Sequence, residues 1–247
     1  MGDLPATGTL LGSSEDDITG TTWLLGHDLK SPIAVVIGTL EMLIGLHEDD
    51  DDMADTVRLL RGALVAAKRE YNMISDMLDL ARFELNQYEL DLQPTNLGGL
   101  LRESLEEEAY GLEVKKLQVE INIENQSQLE CSVDVELFRR VFSALVDNVI
   151  KFTVRDDKLQ IKAYRDGQRV CVKFIDDGRT IVPEYERDIF RRAPQWENRQ
   201  AGSRSSVGMG LPFVNMVVQA HGGEFSAKSD QTTGLTYFTI TIPALDT

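Results

Sequence analysis

A histidine with an acid beside it, and with serine and proline four and five residues on, is the first place in this chain where side chains are arranged for chemistry: Gly26-His27-Asp28-Leu29-Lys30-Ser31-Pro32. A neutral imidazole offers one unprotonated nitrogen near neutral pH, which makes it a competent acceptor for an electrophilic phosphorus. Asp28 is placed to hold the other ring N–H and fix the tautomer. Pro32 lacks an N–H, and its ring clashes with the carbonyl of Asp28, so a helix running through this segment is expected to bend next to the histidine. His27, Ser31, Ala34 and Gly38 follow one another at steps of four, three and four. That helical face carries small side chains and leaves room for another domain to reach the imidazole. A single histidine on a helix is more often structural than reactive, and it is the surrounding motif that favours the reactive reading.

Three further groups lie downstream. Asn148 stands one turn before Lys151-Phe152-Thr153, late in a long helical pattern. An amide oxygen suits Mg²⁺, a hard cation, and a lysine one turn on can meet phosphate. Phe174-Ile175-Asp176-Asp177-Gly178 closes a strand-like run. A carboxylate there can accept a hydrogen bond from the amino group of adenine, where guanine would offer a carbonyl, and a glycine allows close backbone approach. Gly208-Met209-Gly210-Leu211 opens a helical run, and N–H groups at a helix start can cradle phosphate. Each group has an ordinary structural explanation taken alone: a polar helix end, an acid-glycine turn, a glycine-rich loop. Their joint order makes the pattern specific.

The elements that must position these groups fall into two kinds. From 18 to 47 the apolar residues recur at helical spacing, with Leu25, Leu29, Val36 and Leu43 in one stripe and Ile33, Ile37, Leu40 and Ile44 in its neighbour. The acidic run Glu48-Asp49-Asp50-Asp51-Asp52 reads as a solvated hairpin loop. A second helix is expected over 53–84, where Met53, Val57, Leu60, Leu64, Ala67, Tyr71, Ile74 and Leu78 alternate steps of four and three, a coiled-coil seam. Two such helices alone have too little partner surface. Pairing two copies into a four-helix bundle would cover the remainder, so a homodimer is expected.

From 87 the texture changes. Strands are expected at 88–92, 117–124, 129–132, 158–165, 169–176, 223–228 and 234–242. Helices are expected at 97–112, 135–153, 184–190 and 211–221, with Asp134 as N-cap of the second. This is an α+β layer with helices on one face of a mixed sheet. The segment 191–207 is polar and reads as a loop beside a site, and 1–17 as a flexible N-terminal segment.

The 247 residues carry a formal net charge of -16, with 42% hydrophobic and 27% charged residues. A core can be buried, while the acidic balance argues against nucleic acid and anionic lipid as partners. No run looks apolar enough to span a bilayer or to serve as a signal peptide, which points to the cytoplasm. Cys131 and Cys171 sit in strand-like segments and read as buried, reduced thiols.

Together the four groups resemble the sensor histidine kinases of two-component systems, over about 18–243. HDLKSP is similar to that family's phosphoacceptor box, RRVFSALVDNVIKFT to its asparagine box, IDDGRTIVPEYERDIF to its aspartate-glycine box and GMGLPFVNMVVQAHGG to its glycine box. The resemblance implies a dimerisation and phosphotransfer hairpin over 18–86, forming a dimeric four-helix bundle, and an α+β sandwich ATP-binding domain over 87–247. It implies His27 as phosphoacceptor, Asp28 as its orienting acid and Ser31 near a water used in dephosphorylation. Asn148 would hold Mg²⁺; Asn148, Lys151, Phe152, Asp176, Gly178, Gly208, Gly210 and Leu211 would bind ATP; a response regulator receiver domain would take the phosphoryl group. His221 corresponds to a structural position of the family.

Four residues depart from the pattern. Ala144 replaces the first asparagine of its box, Thr180 the second glycine of the aspartate-glycine box, Ala193 a lid aromatic and Pro212 the last glycine of the glycine box. Thr180 is expected to resist φ > 0 and to add bulk near the base, and Pro212 removes one N–H. These departures motivate the competing reading, a dimeric signalling scaffold without efficient ATP use. An ATPase of the gyrase or mismatch-repair kind is disfavoured, since it would need a glutamate in the asparagine helix where Ala144 stands.

Overall fold

The computed structural model describes residues 14–85, 87–124, 128–186, 188–190 and 209–245, with side chains from Asp28 onward except at Tyr185. The chain divides into two compact units, Met1–Asn86 and Gln87–Thr247.

The first unit is a helical hairpin. Helix α1 (Ser14–His47) begins four residues before the apolar periodicity does and runs on through Pro32. A 3-10 turn, Asp51–Met53, leads into α2 (Ala54–Glu84); the Asp50 side chain caps that turn by accepting from the N–H of Asp52. The acids of the loop thus sit at a helix start, where the dipole favours negative charge. The expected seam of α2, from Met53 to Leu78, lies wholly on residues that are buried or half-buried, with Val57 buried. On α1, Ile33, Ile37 and Leu40 are half-buried and Ile44 is buried, so this stripe faces the partner helix. Of the other stripe Leu43 is half-buried, while Leu29 is 54% and Val36 50% exposed, and Val35, Met42 and Leu46 are exposed as well. Across the hairpin Lys68 pairs with Glu41 at 2.8 Å, and the Lys30 ammonium lies 4.7 Å from the centre of the Tyr71 ring. Contrary to the sequence expectation, Asp28–His47, with mean hydropathy 1.6, is long and apolar enough to cross a membrane by length and composition.

The second unit is a sheet with helices on one face. Strand β1 (Leu92–Asn96) leads into α3 (Leu97–Glu107) and α4 (Ala109–Lys115). Then come β2 (Gln118–Ile123), β3 (Glu130–Asp134), α5 (Val135–Phe152), β4 (Lys158–Asp166) and β5 (Arg169–Asp176). The unit ends with α6 (Gly210–Ala220), β6 (Glu224–Asp230) and β7 (Leu235–Pro243). Strand order in the main sheet is β2-β4-β5-β7-β6, with β2 parallel to β4 and the other pairs antiparallel. Strands β1 and β3 form a separate antiparallel pair. Alternation along β4, β5 and β7 buries Leu159, Ile161, Ala163, Val170, Val172, Phe174, Phe238, Ile240 and Ile242 against the core face of α5 (Leu137, Phe138, Val141, Phe142, Leu145, Val146, Val149) and against α6.

Besides shifts of a residue or two at other ends, three elements of this unit differ from the sequence reading. Strand β1 lies at Leu92–Asn96 rather than 88–92, because Pro94 is tolerated in a strand with only one partner. The helix expected over 97–112 breaks at Glu108, whose carboxylate accepts the Ser143 hydroxyl of α5 at 2.5 Å. The short helix expected at 184–190 is two 3-10 turns, Pro183–Tyr185 and Asp188–Phe190. Both cysteines are free and buried, and burial pushes the Cys131 thiol up to about 12, so it stays protonated.

Candidate functional site

On the hairpin, His27 is placed by its backbone alone, midway along α1. The next turns of its face are open: Asp28, Ser31, Ala34 and Gly38 are exposed, and a Cβ added at Gly38 would meet nothing within 4 Å. Lys30 turns toward α2 and onto Tyr71, away from that face.

In the second unit the site is built at the C-terminal ends of α5 and β5. Asp134 starts α5 by accepting the N–H of Leu137 on its carboxylate, 3.1 Å away. With the core face of α5 fixed, Ala144, Asp147 and Asn148 fall on its half-buried flank, and Lys151 is exposed at the last turn. The Lys151 ammonium lies 4.7 Å from the centre of the Phe152 ring. Thr153 closes the helix with its hydroxyl donating to the Val149 carbonyl at 2.6 Å.

Asp176 is the last residue of β5, in the middle of the sheet, and only 3% exposed. Its carboxylate accepts the N–H of Gly178 at 3.1 Å. Burial pushes its pKa up to about 6; the Gly178 hydrogen bond works against that, and the nearby charges of Asp177 and Asp157 add to it. Gly178 is demanded by crowding rather than by a left-handed backbone. A Cβ there would lie 2.8 Å from Cγ2 of Thr153, 2.9 Å from the Phe152 carbonyl oxygen and 3.0 Å from Oδ1 of Asp176. The close approach that the sequence suggested for a base is thus made first to the end of α5. The N–H of Arg179 donates to the same Phe152 carbonyl at 3.0 Å. Asp176, Gly178 and Phe152 are thereby brought together, with Lys151 next to Phe152 on the last turn of α5 and Asn148 one turn earlier.

Thr180 corrects its expectation. The only non-glycine residues with positive φ among those described are Lys116 and Asp156, so Thr180 is not strained. Its hydroxyl donates to Oε1 of Gln231 at 3.3 Å. The neighbouring Ile181 donates its N–H to the Ser229 hydroxyl at 2.7 Å, and its carbonyl accepts from the Gln231 amide at 2.9 Å. Three residues that sequence reasoning missed therefore shape this edge: Ser229, Gln231 and Thr236. Thr236 is buried, is the cross-strand partner of Asp176, and shares a 2.8 Å hydrogen bond with Ser229. The available signal was a polar residue at an inward position of an otherwise apolar alternation in β7.

Gly210 and Leu211 open α6. No side chain among the described residues caps this helix start, so their N–H groups have no intrahelical partner. Pro212, in the first turn, is buried and contributes no N–H. A Cβ added at Gly210 would sit 3.7 Å from that of Ala144, which brings the α6 start against α5 one turn before Asn148. Gly208 and Ala193 lie outside the described residues. No group of three His, Cys, Asp or Glu among the described residues could hold a metal. The donor set still fits Mg²⁺, which takes one or two protein oxygens and completes its shell with phosphate and water, and Asn148 supplies such an oxygen.

Residues 25–86 match the family described as His Kinase A (phospho-acceptor) domain, and 133–246 that described as histidine kinase-, DNA gyrase B- and HSP90-like ATPase. The chain is 28% identical over 211 residues to sensor protein VanSC of Enterococcus gallinarum, covering 85% of this chain and 56% of that protein. It is similar in fold to the histidine kinase AdeS of Acinetobacter baumannii, with TM-score 0.59, 22% identity, 89% of this chain and 98% of that one. It is also similar in fold to full-length ShkA in complex with AMPPNP, with TM-score 0.65, 21% identity, 91% of this chain and 46% of that one. The chain spans about half the length of the VanSC relative.

Proposed function

The chain belongs to the sensor histidine kinases, and we propose that it acts as the catalytic core of one, moving the γ-phosphoryl group of ATP to His27 and from there to an aspartate of a response regulator receiver domain. The observation that carries this reading is the junction of β5 and α5, where Gly178 donates to Asp176 and packs against the Phe152 carbonyl, itself the acceptor of the Arg179 N–H, close to Lys151 and Asn148 on α5.

In this reading the adenine amino group donates to the Asp176 carboxylate, which selects adenine over guanine. Gly178 and Phe152 flank the base, Lys151 meets phosphate, and the N–H groups of Gly208, Gly210 and Leu211 face the phosphate chain. Mg²⁺ on the Asn148 amide oxygen would neutralise charge on the phosphates. The lone pair of the His27 imidazole forms the N–P bond as the bond from γ-phosphorus to the bridging oxygen breaks, and ADP leaves with that electron pair. Asp28 holds the remaining ring N–H, and Ser31 stands near the water that would later hydrolyse the phosphohistidine. Catalysis is mostly positioning and charge neutralisation. The exposed Leu29, Val35, Val36, Met42 and Leu46 favour a homodimer through the hairpin, working in the cytoplasm where ATP and receiver domains are found.

The second reading, a scaffold without efficient ATP use, rests on Ala144 and Pro212; the unstrained Thr180 removes one of its supports. Incubation with γ-labelled ATP and Mg²⁺ separates the two. Label on the protein that is lost in His27→Gln supports the kinase, while absence of label together with absence of nucleotide binding supports the scaffold.

A further inference from the structure

His221 lies just past the end of α6, buried, and far along the fold from the residues assigned to nucleotide. Both its ring nitrogens are committed. The N–H of Asp134 donates to Nε2 at 3.0 Å, and Nδ1 stands 2.7 Å from the Val217 carbonyl oxygen. A backbone N–H can only donate and a carbonyl only accept, so the ring must be neutral with its proton on Nδ1. Burial, the leading influence, lowers its pKa, which keeps the ring in that form. The edge-to-face contact with Phe138, 5.0 Å between centroids, holds its orientation.

The other end of this link is the start of α5. Asp134 caps α5 through the Leu137 N–H, and its second carboxylate oxygen accepts the N–H of Asp91, at the beginning of the unit, at 3.2 Å. Helices α5 and α6 run antiparallel. Asp134 meets His221, the Arg140 guanidinium stacks on Phe213 at 4.5 Å, and Ala144 faces Gly210. The ten residues from Asp134 to Ala144 and the eleven from Gly210 to His221 span about 15 and about 16 Å at helical rise. Pinning the far ends together therefore sets how Gly210 and Leu211 stand beside Asn148 at the near ends.

We propose that His221 is a positioning residue of the nucleotide site: its neutral imidazole bridges α6 to the N-cap of α5 and so fixes the axial register of the glycine helix against the Asn148 helix. This rests on the nucleotide reading given above. The adenine side of the site, on β5, does not depend on this register; the phosphate side does.

Two variants divide the bridge from the local bond. In His221→Gln the amide oxygen reaches the Nε2 position and can still accept from Asp134. In His221→Asn the amide nitrogen can replace only the Nδ1 donor to Val217, and the buried Asp134 N–H loses its acceptor. The expected result is ATP affinity within about threefold of wild type for the Gln variant and weakened roughly tenfold for the Asn variant, the scale of one lost buried hydrogen bond, with adenosine affinity unchanged in both. Equal ATP loss in the two variants, or parallel loss of adenosine, would overturn the proposal. Wild-type protein binding neither ligand would overturn the nucleotide reading and this one with it; wild-type binding with an unaffected Asn variant overturns only this one. Nitrogen-15 NMR of wild-type His221 gives a test that needs no variant: the Nδ1–H tautomer is expected, and the Nε2–H tautomer would contradict the bridge.

Discussion

Burial holds the Asp176 carboxyl at about 6, so the charge offered to an adenine amino group titrates close to neutrality. A charged acceptor makes the stronger hydrogen bond. ATP affinity is therefore expected to fall roughly fourfold as pH drops from about 7.5 to about 5.5, measured by titration calorimetry, and Asp176→Asn should bind weakly with a flat profile. A flat wild-type profile would contradict the assignment. Stability of the unliganded protein takes the opposite sign at this residue. A folded pKa above the ordinary 3.8 means the contribution is full below that value and is lost as pH rises through about 6. His221, whose pKa is lowered, costs stability as pH falls below its ordinary 6.5. Ala144 is the other residue with a clear expectation. Restoring an amide with Ala144→Asn, one turn before Asn148, should strengthen MgATP binding by several-fold, on the order of one added polar contact, in the same titration; weaker binding would mean that the close packing on Gly210 leaves the longer side chain no room.

Helices α5 and α6 and the central strands were legible because their signals are local and strong. Asp134 sits before an apolar period of 3.6, β5 is rich in apolar and β-branched residues, and its Arg169–Asp176 span in the fold is the span expected from the sequence. What was not legible depends on contacts distant in sequence. The need for glycine at 178 comes from Phe152 and Thr153, and the easy fit of Thr180 comes from Gln231, 51 residues away. Strand β1 was misplaced because Pro94 reads as a breaker until its single partner is known. The candidate site behaves alike: its motif residues were visible, while Ser229, Gln231 and Thr236 were hidden in ordinary strand sequence. Gly178→Ala tests the crowding at this junction. With backbone as well as side-chain atoms under 3.0 Å from the new Cβ, a loss of about 1–3 kcal/mol is expected in chemical denaturation, together with weaker ATP binding. Wild-type stability would show that the junction yields freely.

The whole molecule joins a hairpin with an exposed apolar stripe to an acidic chain whose net charge of -16 keeps surfaces apart. Contiguous apolar surface of this kind is rarely left in water, and a second hairpin would bury Leu29, Val36 and their neighbours. Light scattering at micromolar concentration should give twice the chain mass, and charged substitutions at Leu29 and Val36 should return it to the monomer. A monomeric wild type would remove the bundle. The proposed kinase activity depends on phosphorus reaching one imidazole. Intact mass spectrometry after incubation with ATP and Mg²⁺, with peptide mapping at alkaline pH where phosphohistidine survives, is its most direct test. One phosphoryl group per chain on His27, lost on acid treatment and absent in His27→Gln, is the predicted result. Phosphate on another residue, or none under conditions where ATP is bound, would contradict it.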